Sequence, residues 1–157
     1  MLSWPAAVNI LVAFNAGNIA GRFAPSLLLR HLLPPGVAAV AAVLGGVLVL
    51  VGTTTKYTGF LVVMAFYGAC VGVIQSLYAI NAVWFCGERG RSKRMDVVVQ
   101  ATGLACLAGP PLGGWVIQGV GMGYFELEWM AGGMVVFGGG LLLVAAIAKG
   151  RVATTMV

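Results

Sequence analysis

The stretch VAAVAAVLGGVLVLV, Val37 to Val51, contains no polar side chain. In water such a helix would need cover on every side, whereas hydrocarbon accepts it as it stands. Pro34-Pro35-Gly36 breaks the chain ahead of it, which places a membrane span at about residues 37–53. The remainder of the chain has the same character. Of 157 residues, 61% are apolar and 8% are charged, and the mean hydropathy is +1.01, far less polar surface than a soluble domain needs. Helical bundles and closed barrels both span lipid, and these unbroken apolar runs lack the alternation of barrel strands. The expected fold is an all-α membrane protein of about five transmembrane helices, forming a single domain over residues 1–157.

Working outward, the other spans are expected at about 5–29, 58–85, 95–117 and 129–148. The first is long enough to cross a hydrocarbon core of about 30 Å at about 1.5 Å per residue. Arg30 and His31 mark an interface after it, and Lys56-Tyr57 makes a tight connection between the second and third spans. Glu88 to Asp96 is the one dense charge run and is expected as a solvated loop, with phosphorylation of Ser92 as a second reading. Glu126 and Glu128 fall in the last connection. The second span can face lipid all round, and the fifth is likewise wholly apolar before Lys149. Arg30, Arg89, Arg91, Lys93, Arg94, Lys149 and Arg151 collect on one side and Lys56 stands on the other. The positive-inside rule then puts the N-terminus outside and the C-terminus in the cytoplasm. An odd number of spans beginning outside is expected of the later part of a longer design, which makes the chain read as a fragment.

Two spans carry polar stripes. In the first, the stretch NAGNIAGR, Asn15 to Arg22, places a permanent cation inside an otherwise apolar helix, at a cost of about 2.5–3.5 kcal/mol on insertion scales. A 3.6-residue period gathers Asn15, Asn18, Arg22 and Ser26 on one narrow stripe and leaves Gly17 and Gly21 on another side, suited to close packing. The stripe either faces a cavity or lets Arg22 snorkel, since Arg30 lies about 12 Å further along the helix. In the third span Tyr67, Gln75, Tyr78 and Asn81 share about a third of the circumference, for ligand contact or for helix-to-helix hydrogen bonds, and Gly68 with Gly72 forms a packing site. The fourth span has Gln100 and Thr102 near its start and GPPLGG, Gly109 to Gly114, past its middle, which is expected to be a bend rather than a ligand contact.

Several function classes are set aside on composition. The formal charge of +5 comes from residues in short connections, with no aromatic-interleaved basic patch, so it sets topology and does not bind nucleic acid. Cys70, Cys86 and Cys106 are odd in number and lack CxxC spacing, which predicts no disulfide framework. No basic region precedes the first apolar run, so that helix is expected to be retained and not cleaved as a signal. An enzyme is not expected. His31 is the one histidine, there is no HExxH, and the glycines of Gly119 to Gly123 lack the strand and acid of a phosphate-binding loop. No cofactor and no metal are expected.

The stretches NAGNIAGRFAP, Asn15 to Pro25, and AGPPLGG, Ala108 to Gly114, resemble the C-terminal half of major facilitator superfamily transporters, in the fungal branch similar to monocarboxylate transporters. The resemblance covers nearly the whole chain and implies a partial major facilitator fold, helices eight to twelve of twelve. It also implies that the second and fifth spans are peripheral. Where that family places an aspartate four residues before the arginine, this chain has Asn18, and no carboxylate lies in any expected membrane interior. The family's acidic-basic loop motif is replaced by Arg30 and His31.

What the resemblance implies for function is a secondary transporter for a small organic solute, a carboxylate or other organic anion, working by alternating access. Arg22 would attract the anionic group, and Asn15, Asn18, Gln75, Tyr78 and Asn81 would hydrogen-bond it. Gly109, Pro110, Pro111 and Gly113 would serve as hinge or packing residues. The partners are the solute, the lipid bilayer and either a missing N-terminal half or further copies of this chain, and the plasma membrane is the expected location. The alternative is a truncated, non-transporting remnant that binds other helices through Gly17/Gly21, Gly68/Gly72 and Gly109/Gly113.

Overall fold

The computed structural model describes residues 4–29, 32–52, 56–86, 91–119 and 124–155. Within these it is all α. The helices are α1 (Trp4–Leu28), α2 (Pro34–Gly52), α3 (Tyr57–Cys86), α4 (Arg91–Gly119) and α5 (Tyr124–Thr155). Four of them, α2 to α5, are long and apolar enough to cross a membrane, as expected of a multi-pass integral membrane protein. The 25 residues of α1 are ample in length, but Asn9, Asn15, Asn18 and Arg22 interrupt its apolar run and it is not among the four.

The boundaries follow local chemistry. Pro34 and Pro35 open α2 because proline's fixed φ and missing N–H suit a first helical turn. Two connections are shorter than the sequence suggests. Residues Arg91 to Asp96 belong to α4 and not to a loop, since Lys, Arg and Met are good helix formers and a helix can continue past hydrocarbon into water. The rest of that charge run, residues 88–90, lies outside the described residues, as do Arg30 and His31. Glu126 and Glu128 sit in the opening turns of α5, where an acid complements the positive end of the helix dipole.

Four helices form a layer in the order α1, α3, α2, α5, and α4 makes only sparse contacts with α3 and α5. Glycines and alanines set the crossings. Gly17 and Gly21 face the backbone of Ala65 and Ala69, and Gly68 and Gly72 face that of Phe14, Asn18 and Arg22, so α1 and α3 run parallel with almost no side chain between them. Between α2 and α3, Gly45 meets Cys70 and Tyr67 while Gly52 meets Val63 and Phe60, an antiparallel pair. Between α2 and α5, Gly132 meets Gly46 and Leu50 while Gly139 meets Ala39, Ala42 and Val43, again antiparallel. Gly132, Gly139 and Ala146, the buried residues of α5 among those whose burial is described, recur every seven positions and draw one seam along it.

The expectation that the second span lies at the periphery is overturned. Helix α2 is the most buried of the membrane-spanning helices, sandwiched between α3 and α5. Val37, Ala38 and Ala41 join Val73 and Leu77 in the core, with Cys70, Ile74 and Leu142 packed around them. The reason is size. In lipid an apolar surface gains nothing by hiding from water, and helices associate where small residues let backbones approach. The small residues of α2 supply such a surface on two sides. Helix α5, packed on α2 along one seam, keeps the outer position expected of it. No described residue of α4 is buried. The thiols of Cys70 and Cys106 are free.

Candidate functional site

The stripe on α1 meets α3 at one place. Gly72 lets the backbone of α3 approach Asn18 and Arg22, and Gln75, three residues further on, reaches back across the crossing. The Arg22 guanidinium donates from Nε to Asn18 Oδ1 at 3.2 Å and from Nη2 to Gln75 Oε1 at 3.0 Å. Asn18, at 8% exposure, is the buried polar residue of this interface. Arg22 and Gln75 are exposed.

An arginine has five N–H donors and no acceptor. Two are held by neutral amides, and the other three have no partner among the described residues. Neither amide neutralises the charge. Interhelical hydrogen bonds in membranes average about 0.6 kcal/mol, so these contacts add little to the α1–α3 pair, which glycine packing already secures. What they do is fix the direction of the guanidinium. The result is a cation on an exposed face, held in place by two uncharged oxygens and retaining donors for an anionic group.

The other expected site residues are placed differently. Asn15 is exposed and donates to the Leu11 carbonyl of its own helix at 2.8 Å, and Ser26 donates to Phe23 at 2.6 Å. Tyr78 is exposed one turn beyond Gln75, with no hydrogen bond to Arg22. Asn81 lies deeper, and its buried Oδ1 has no hydrogen-bond partner among the described residues. Tyr67 turns away toward Gly45 and Cys70, with its ring 5.7 Å from that of Phe14. The structure therefore joins Arg22, Asn18 and Gln75, leaves Asn15 and Tyr78 on exposed surface, and separates Asn81 from the group.

On α4, Pro110 and Pro111 lie inside one continuous helix, where each removes a backbone donor from the helical ladder. Nothing approaches within 4 Å of a methyl group built at Gly109, and Gly113 meets only Leu127, at 3.7 Å. The motif touches neither Arg22 nor Gln75 by hydrogen bond. A large apolar cleft of about 750 Å³ runs between α1 and α2 with α3 as its floor. Leu28, Val37, Val40, Phe66 and Val73 line it and Arg22 does not, so the cleft and the polar cluster are separate features.

Two ties escape the sequence pattern. At the N-terminal ends of α1 and α3, Asn9 Nδ2 donates to the Tyr57 hydroxyl at 3.4 Å, and that hydroxyl donates to the Ala6 carbonyl at 3.5 Å. A lone Asn near a helix start and a Tyr at an interface are individually ordinary, and only the parallel glycine crossing brings them together. At the opposite end, Lys149 of α5 donates to the Trp84 carbonyl of α3. Among the described residues no group of three or more His, Cys, Asp or Glu side chains is placed to hold a metal ion.

No protein-family model matches this chain, and neither a curated protein nor a solved structure does.

Proposed function

We propose that this chain is part of a secondary transporter for a small organic solute bearing an anionic group, a carboxylate or other organic anion, moved by alternating access. One observation carries the reading. Arg22 is exposed in an otherwise apolar helix, held by Asn18 and Gln75, and retains three donors without a partner among the described residues. A cation at that depth is costly against lipid and is stabilised by a wet cavity or an anionic ligand. Asn15 and Tyr78 flank it on the same two helices, one turn before Asn18 and one turn after Gln75, and extend the polar wall; Asn81 supplies a further amide on α3. The likeness of Asn15–Pro25 and Ala108–Gly114 to major facilitator transporters similar to monocarboxylate transporters supports the same assignment. The wall facing Arg22 then comes from an N-terminal half or from another copy of this chain. The basic residues at one end favour a cytoplasmic C-terminus, and the plasma membrane is the proposed location.

The test is uptake of labelled organic acids into proteoliposomes. Saturable uptake is expected, lost in Arg22→Ala and reduced in Arg22→Lys, because an ammonium does not reproduce the planar fork of donors. Uptake unchanged by both substitutions would refute the role of Arg22.

A second reading, a non-transporting helix-packing partner, is favoured by Gly103, Gly109 and Gly114 of α4, which have nothing within 4 Å of a built methyl group. It predicts stable complexes with other membrane helices and no solute flux, so saturable flux excludes it.

A further inference from the structure

We propose that Lys149 is a latch, joining the C-terminal ends of α3 and α5 across the N-terminal end of α2. The inference is independent of transport. Three contacts converge on the ammonium group. It donates a hydrogen bond to the Trp84 carbonyl, lies 4.6 Å from the centre of the Trp84 ring, and lies 5.9 Å from that of Phe85. The two rings meet edge to face at 4.9 Å and 87°, which fixes the surface that the ammonium group rests on.

The carbonyl is not an arbitrary one. Helix α3 ends at Cys86, so Trp84 is among the last four residues, whose carbonyls have no donor within the helix. They form the negative end of the helix dipole, where a cation is stabilising. Lysine's flexible stem lets one group satisfy a terminal carbonyl and an aromatic face together.

The position gives the contact its consequence. Helix α2 separates α3 from α5 along their length. Because α2 is antiparallel to both, its first residues lie where α3 and α5 end. There Trp84 also lines a small apolar cleft of about 330 Å³ with Pro34, Ala79, Ile80 and Val83. Trp84 thus shares a cleft with Pro34 of α2 and holds Lys149 of α5 at once. With the latch closed, α2, α3 and α5 move as one body. Released, α5 is held to the layer by its α2 seam and the sparse contacts of α4, and can swing away from α3, widening the cleft beside Trp84.

The test is the distance between spin labels at Ile80 of α3 and Ile147 of α5, both on exposed surface, in full-length protein with Cys70, Cys86 and Cys106 replaced by serine, in lipid nanodiscs. One narrow distance distribution is expected. Lys149→Met keeps the stem and removes the charge, and should raise a longer-distance population on the order of tenfold. Lys149→Arg should retain the short distance. A Lys149→Met distribution that superimposes on that of the unaltered protein would overturn the proposal. If Lys149→Met does not yield monodisperse protein, Trp84→Leu decides, since it removes the ring but keeps the carbonyl: a smaller shift to longer distance supports the latch, and none refutes it.

Discussion

The α1–α3 crossing can be broken with a single methyl group. A Cβ built at Gly21 lies 2.7 Å from both the carbonyl carbon and the Cα of Ala69, with the carbonyl oxygen closer still. All three are backbone atoms, so no rotamer change relieves the overlap. The helices must separate by at least the difference between 2.7 Å and the 3.4 Å at which ordinary contact begins, about 0.7 Å. Overpacking of this kind costs about 1–3 kcal/mol, and the rigid backbone puts it in the upper part of that range. The gain in helix propensity from Gly to Ala, about 1 kcal/mol, offsets part of it. Gly21→Ala should therefore destabilise by about 1–2 kcal/mol. The same separation carries the Arg22–Gln75 bond from 3.0 Å toward the limit of a hydrogen bond, about 3.2 Å for N–H···O, and beyond it. Unfolding in mixed micelles titrated with denaturing detergent measures the change. The control is Gly103→Ala on α4, where nothing lies within 4 Å of the new methyl and only the propensity gain applies. If Gly21→Ala proves as stable as Gly103→Ala, the close crossing is not what holds α1 to α3.

Three further outcomes are expected. Gln75→Leu removes an acceptor from Arg22 but leaves the glycine crossing intact, so stability should fall by less than about 1 kcal/mol while the KM for solute uptake rises severalfold; an unchanged KM in proteoliposomes would show that Gln75 does not aim the guanidinium. Gly139→Val drives a side chain into Ala42 and Val43, whose atoms lie 2.9 and 3.1 Å from the built Cβ. It should lower the thermal midpoint in detergent, whereas Gly138→Val, with open space around it, should not. Replacing Pro110 and Pro111 together by alanine restores two backbone donors to α4; turnover should slow with membrane insertion intact, and unchanged turnover would count against a hinge.

Much of this architecture is legible in the sequence because hydrocarbon imposes a simple rule on helix length and polarity. Pro34-Pro35 and Lys56-Tyr57 locate helix starts to within a few residues, and the 3.6-residue period separates the glycine face of α1 from its polar stripe. What the period leaves open is which helix each face meets. The match of Gly17/Gly21 with Gly68/Gly72 depends on two helices lying parallel and in register, and neither condition is local. The reading of α2 as peripheral fails for a related reason. Lack of polar groups permits lipid contact without requiring it, and the density of Ala and Gly at Ala38, Ala39, Ala41, Gly45 and Gly46 is the signal that decides its central place. For the site, the stripe of Asn15, Asn18 and Arg22 on α1 is legible. The selection of Gln75 over Tyr78 and Asn81 as the partner across the crossing is not, because it depends on the register set by Gly72.

The helix that carries Arg22 and three asparagines also makes the tightest crossing. Asn9, Asn15, Asn18 and Arg22 interrupt the apolar run of α1, which is not among the four helices apolar enough to cross a membrane, and apolar driving force between helices is weak in a membrane. Close backbone packing is the force that remains, and α1 uses it along its length. Asn9 is bonded to Tyr57 near its start, Gly17 and Gly21 fit against α3 in its middle, and Arg22 reaches Gln75 beyond them. Burying one amide, Asn18, in that seam gives Arg22 a neutral acceptor where an acid would have cancelled its charge. The glycine pairs thus do more than join two helices. They hold the Arg22 guanidinium oriented between two neutral amides, with no acid on it among the described residues, and that is the property on which the proposed recognition of an anionic solute depends.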